Sequence, residues 1–213
     1  MRSRLRTQSR RRPAAATGWP RLRWPTRWPL SVSWTPRTCT GSARSAGEFF
    51  DHLRPHDREV IAGHRAAIGD VLAGAAAVVL AGGRVDVLAH VLHLFNVAAA
   101  VQSPVIAWSA GAMALAERIV LFGDRAPQGP GHAELHGSGL SLVRGAVLLP
   151  HARARLRLDD APRMAVMARR FAPDQCVLLD PGARLDTDGS GSWPPGTRVL
   201  GEDGQVAVTA AAA

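Results

Sequence analysis

Short apolar runs alternate with stretches of helical periodicity along most of the chain. Residues 75–81, reading AAAVVLA, are an apolar run that ends in Gly82-Gly83. Residues 105–108, Val-Ile-Ala-Trp, are a second that stops at Ser109. Residues 119–122, 143–149 and 176–179 repeat the pattern, the 143–149 run ending at Pro150-His151. Helical character occupies 48–72, with Phe49, Leu53, Val60, Ile61, Ile68, Val71 and Leu72 as apolar positions and Pro55 dividing it. It returns over 85–101, over 112–118, and from 160 or 161 to about 170. Residues 123–139 read as a Gly/Pro loop. The chain beyond 180 is turn-rich, with Leu185, 198–200 and 206–209 as short strands. Strands alternating with helices predict an α/β fold with a mainly parallel sheet.

Residues 1–46 break the pattern. Arginine, tryptophan, proline, serine and threonine dominate, with neither a 3.6 nor a 2 period, which predicts a disordered or irregular tail. Arg10-Arg11-Arg12 lacks the apolar segment of a twin-arginine signal, and the prolines break any amphipathic transit helix. An Arg/Trp mixture can hold single-stranded nucleic acid by charge and stacking. The simpler expectation is a solvated tail without chemistry, dispensable to the rest, and one domain over 47–213.

Charge follows the same division. The 213-residue chain carries +9, and all 26 basic side chains are arginine. Eleven of them lie in 1–46, which has no acid, so 47–213 hold 15 basic against 17 acidic residues, about −2. The body is thus not expected to bind nucleic acid. Cys39 and Cys176 have no metal or redox spacing, and no apolar run approaches a membrane span. A cytoplasmic protein without metal or cofactor is expected, its oligomeric state left open.

The chemistry gathers at Ser109. A strand, a sharp turn and a helix with serine at the corner is the setting of a nucleophile elbow, and so tight a turn needs small neighbours. Here they are Ala107, Ala110 and Gly111. Reactive groups of α/β sheets collect at the carboxyl ends of the strands. That rule singles out Gly82-Gly83, whose Gly83 N–H would form an oxyanion hole with that of Ala110, and His151 as general base. His132, His136, His90 and His93 are its rivals. The acid that would orient the imidazole is Asp124, Glu134 or Asp180. Arg153 and Arg155, close to His151, are candidates to receive a substrate carboxylate.

Four pieces occur in order: Ala81-Gly82-Gly83, Trp108-Ser109-Ala110-Gly111-Ala112, Leu149-Pro150-His151 and Leu179-Asp180-Pro181-Gly182. Over roughly 75–186 the chain resembles the dipeptidase E and cyanophycinase family of serine peptidases, with their class I glutamine amidotransferase-like fold. The resemblance implies a three-layer sandwich, Ser109 as nucleophile, His151 as base, Asp124 where that family has its proposed acid, and small peptides or amides as substrates. Ala107 stands where the family has glycine. Residues 1–46 offer no counterpart of the family's first strand, so the sheet is expected to lack one or more N-terminal strands. Serine instead of cysteine at the elbow disfavours ammonia transfer from glutamine. Two alternatives stand beside this reading: an inert binding or regulatory module of the same fold, and an α/β-hydrolase esterase.

Overall fold

The structure, a computed structural model, describes residues 51–125 and 131–210. The tail expected over 1–46, with Cys39 and Phe49, lies outside those residues, as does the middle of the 123–139 loop.

Pro55 opens a single 3-10 turn (Pro55–Asp57), and helix α1 (Glu59–Ala73) follows. Strand β1 (Val78–Leu80) is shorter than the apolar run around it. The helical stretch after it is interrupted, giving α2 (Val85–Leu94) and a single turn α3 (Val97–Ala100). Asn96 makes the break in the left-handed region, at φ 52° and ψ 41°. Asparagine tolerates that region better than most side chains, and here it overrides an apolar period that runs through it.

Strand β2 (Val105–Ala107) leads through Ser109 into α4 (Ala110–Leu115). All six residues of α4 are buried. It is shorter than its helix-forming composition predicts, because Ala116 turns extended and pairs with Val143. Strand β3 (Arg118–Leu121) then pairs antiparallel with β4 (Glu134–Ser138), which lies in the stretch expected to be loop. Strand β5 (Ala146–Pro150), the turn of helix α5 (Ala152–Arg155), helix α6 (Ala161–Phe171) and strand β6 (Gln175–Leu179) complete the second half. Strands β7 (Arg198–Leu200) and β8 (Val206–Val208) close it as an antiparallel hairpin, and Leu185 belongs to no strand.

Among the described residues the architecture is mixed α/β with three small sheets. β1 and β2 form a parallel pair, β3 and β4 an antiparallel pair, and β5-β6-β7-β8 a mixed sheet in which only β5 and β6 run parallel. The sheet content is therefore not mainly parallel: antiparallel pairings outnumber parallel ones among the described strands.

Burial explains the order of the second half. Every residue of β5 is buried, as expected of a strand covered on both faces. Met164, Ala165, Met167, Ala168 and Phe171 form the inner stripe of α6. Asp160 caps that helix by accepting the Arg163 N–H at 3.2 Å, and Pro162 occupies its first turn. Helix α1 buries no residue fully, and Val60 and Val71 on it are exposed. No helix of the described residues is long and apolar enough to cross a membrane.

Candidate active site

The β2–α4 junction is built around one strained residue. Ser109 sits at φ 53° and ψ −124°, directly before the first residue of α4. A side-chain-bearing residue avoids this region, and it persists only where the surroundings fix it. They do so from both sides. The Trp108 N–H donates to Leu80 O at 3.2 Å, continuing the β1–β2 ladder to the corner. The Gly111 N–H donates to Trp108 O at 3.0 Å, and the Met113 N–H to Ser109 O at 3.1 Å, so the helix starts without a spacer.

Two glycines make the corner possible. A Cβ on Gly111 would stand 2.1 Å from Leu80 O, inside the end of β1. A Cβ on Gly82 would stand 3.2 Å from Ser109 Cβ and 3.3 Å from its Oγ. The serine hydroxyl thus lies against the bare Cα of Gly82. Of the Gly82-Gly83 pair, Gly82 faces Ser109, while Gly83 follows at φ 133° and is exposed. Ala110, the other oxyanion-hole candidate, is 3% exposed at the head of α4.

His151 follows the other parallel pair, β5 and β6. Pro150 is in register with Leu179, and the His151 N–H donates to Leu179 O at 2.7 Å. The residue then turns left-handed, at φ 57° and ψ 38°, and its exposed ring begins α5. Neither the Ser109 hydroxyl nor the His151 ring makes a hydrogen bond within the described residues. Among the rival histidines, His93 Nε2 meets Ser138 O at 3.1 Å, and His90 and His132 are exposed.

Asp124 is committed elsewhere. It is 5% exposed, one oxygen accepting the Arg157 N–H at 3.0 Å and the other the Arg163 guanidinium at 2.7 Å. Burial pushes its carboxyl upward, but the Arg163 hydrogen bond, the Arg157 N–H and the two positive charges outweigh it and hold it below the ordinary value. The carboxylate expected to orient His151 instead ties the end of β3 to the chain between α5 and α6. Glu134 opens β4 as an exposed residue. Asp180 is the acid next to His151 along the paired strands, one residue beyond Leu179. Its oxygens accept the Arg153 N–H at 2.8 Å and the Arg198 guanidinium at 2.6 Å.

The two arginines after His151 separate. Arg153 lines an open cavity of about 600 Å³ together with Asp180, Arg184 and Arg198. Arg155 turns to Phe122, donating to its carbonyl at 2.7 Å and lying 4.3 Å above its ring, so its cation is spent on packing. Sequence reasoning missed Arg163 and Arg198, because nothing local in an arginine-rich chain marks those that find a buried carboxylate. Cys176 is 1% exposed within β6, and burial pushes its thiol up to about 12, which removes it as a nucleophile at neutral pH.

Comparisons with protein families, with curated proteins and with solved structures find no match to this chain.

Proposed function

We propose that the chain is a serine-type hydrolase that cleaves short peptides or related amides through an acyl-enzyme on Ser109, with the class I glutamine amidotransferase-like fold of dipeptidase E and cyanophycinase. The observation that carries this reading is the backbone of Ser109, held at φ 53° and ψ −124° between a strand and a helix. Strained backbone clusters at functional sites, and a serine at a strand-to-helix corner is the setting in which a nucleophile elbow presents its oxygen for attack.

In this reading Ser109 Oγ attacks the amide carbonyl carbon while His151 takes the hydroxyl proton. The N–H groups of Gly83 and Ala110 receive the oxyanion as the carbonyl bond opens. Collapse breaks the C–N bond, and His151 returns its proton to the departing amine. A water deprotonated by His151 then attacks the acyl carbon, releasing the acid and restoring Ser109. Substrate arrival draws His151 and Ser109 into hydrogen-bond reach, a contact that tightens in the substrate complex. Asp180 takes the orienting place beside His151, and Arg153 at the cavity rim receives a substrate carboxylate.

A fluorophosphonate probe followed by mass spectrometry tests the reading. Ser109 is expected to carry the label, Ser109→Ala to abolish labelling and peptide turnover with the fold intact, and His151→Ala to lower both about as severely. Undiminished turnover by Ser109→Ala overturns the assignment. The absence of a Ser109–His151 hydrogen bond favours one second reading, an inert binding module on the same scaffold. An unlabelled wild-type protein without turnover selects it.

A further inference from the structure

Among the described residues, the β1–β2 pair is covered on one face only. Val78 and Leu80 point into the core, where Val105 and Ala107 pack with them. Val79 and Ile106, which are register partners, point the other way, each 55% exposed. Trp108, two residues beyond Ile106 and still on the ladder, is 52% exposed. The strands and their flanks carry no charge, since 71–83 and 97–116 contain no acidic or basic residue. Parallel strands are normally covered on both faces, and a contiguous uncharged apolar patch marks a surface that something meets.

The same chain holds a matching segment. Four of its six tryptophans, Trp19, Trp24, Trp28 and Trp34, precede Asp51, where the described structure begins. Leu22, Leu30 and Val32 lie among them, and Leu30-Ser31-Val32-Ser33-Trp34 puts apolar residues at alternate positions, too briefly to set a period for the whole segment. Residues 35–50 connect the last tryptophan to the described domain and span up to about 50 Å when extended. A domain of this size has a radius of gyration of about 15 Å, so the face is within reach. Sign of charge agrees as well: residues 1–46 bear 11 arginines and no acid, and the rest sums to about −2. Arginines between the tryptophans can keep their guanidinium groups in water while their stems lie on the apolar surface.

We propose that residues 19–34 dock onto the open face of β1–β2 and lay their tryptophans against Val79, Ile106 and Trp108. The docked segment replaces the missing second layer of the sheet, and because Trp108 precedes Ser109 it borders the elbow. The proposal does not depend on catalysis and reverses the expectation that the segment is dispensable.

The test uses the full chain with Ile106→p-benzoylphenylalanine, irradiated and analysed by mass spectrometry. The expected product has monomer mass, with the crosslink within 19–34. A product of dimer mass, in which a second copy occupies the face, overturns the proposal, and so does a crosslink confined to other residues or none at all. Deletion of 1–46 from the otherwise unaltered chain is the independent measurement. It is expected to raise fluorescence of the dye ANS several-fold and to speed amide exchange at 78–80 and 105–108. Unchanged dye binding and exchange would falsify the docking even if the substituted protein folded poorly.

Discussion

Two parallel strand pairs carry the candidate residues, and they differ in what covers them. β5 is buried from Ala146 to Pro150 and leads to His151, while β1 and β2 leave Val79 and Ile106 each 55% exposed and lead to Ser109. Pairing alone therefore does not make a strand core. α6 packs beside β6, so the β5–β6 pair has a second layer, whereas α1, next to β1 in the chain, buries no residue fully. Ser109 stands on the thinner of the two platforms, which relies on close backbone contact, Gly111 on Leu80 and Gly82 on Ser109, in place of depth. Regions with few buried apolar contacts open locally at lower free energy than the core, so amide exchange should be faster at β1–β2 than at β5–β6.

Substitution can break this comparison. The largest effect is expected from Leu149→Ala in β5, where the side chain is fully buried. Its loss should cost about 2–5 kcal/mol by chemical denaturation, against less than about 1 kcal/mol for Ile106→Ala on the open face once residues 1–46 are deleted. Equal costs would show that the open face is as well packed as the closed one. Gly111→Ala comes next, at about 1–3 kcal/mol, because its methyl group would displace Leu80 from the corner. The same variant should lose probe labelling of Ser109 ahead of any unfolding, separating damage to the elbow from damage to the domain.

The smallest effect sharpens the side bearing His151. Asp124 has its folded-state carboxyl held below the ordinary value despite burial, through the Arg163 hydrogen bond, the Arg157 N–H and the adjacent positive charges. A depressed carboxyl contributes stability above its unfolded value and loses it as pH falls through the folded one. Wild-type stability should therefore decline from about pH 4 downward, and Asp124→Asn should flatten that decline. If the variant keeps the full acid dependence, other carboxylates carry it.

Legibility in the sequence followed the range of the forces involved. α6 was readable because its signals are local: Asp160 as cap, Pro162 in the first turn, and an apolar stripe of period 3.6. The elbow was readable for the same reason, since small residues around a serine state a steric requirement within five positions. β4 was not, because Glu-Leu-His-Gly-Ser has no strand pattern of its own and is held by pairing with β3. Nor was the break at Asn96, where the apolar period continues through a residue whose backbone reverses hand. The partner of Asp124 lies 39 positions away at Arg163, a separation at which sequence spacing carries no information. Sheet division failed likewise: each run announces a strand, but its neighbour is decided by long-range packing.

The thiol of Cys176 turns the closed platform into its own clock. At neutral pH a group pushed up to about 12 and 1% exposed cannot meet an alkylating reagent while β6 is seated between β5 and β7. Covalent modification at that sulfur, followed peptide by peptide, accordingly counts openings of the four-stranded sheet and ignores motion at the elbow.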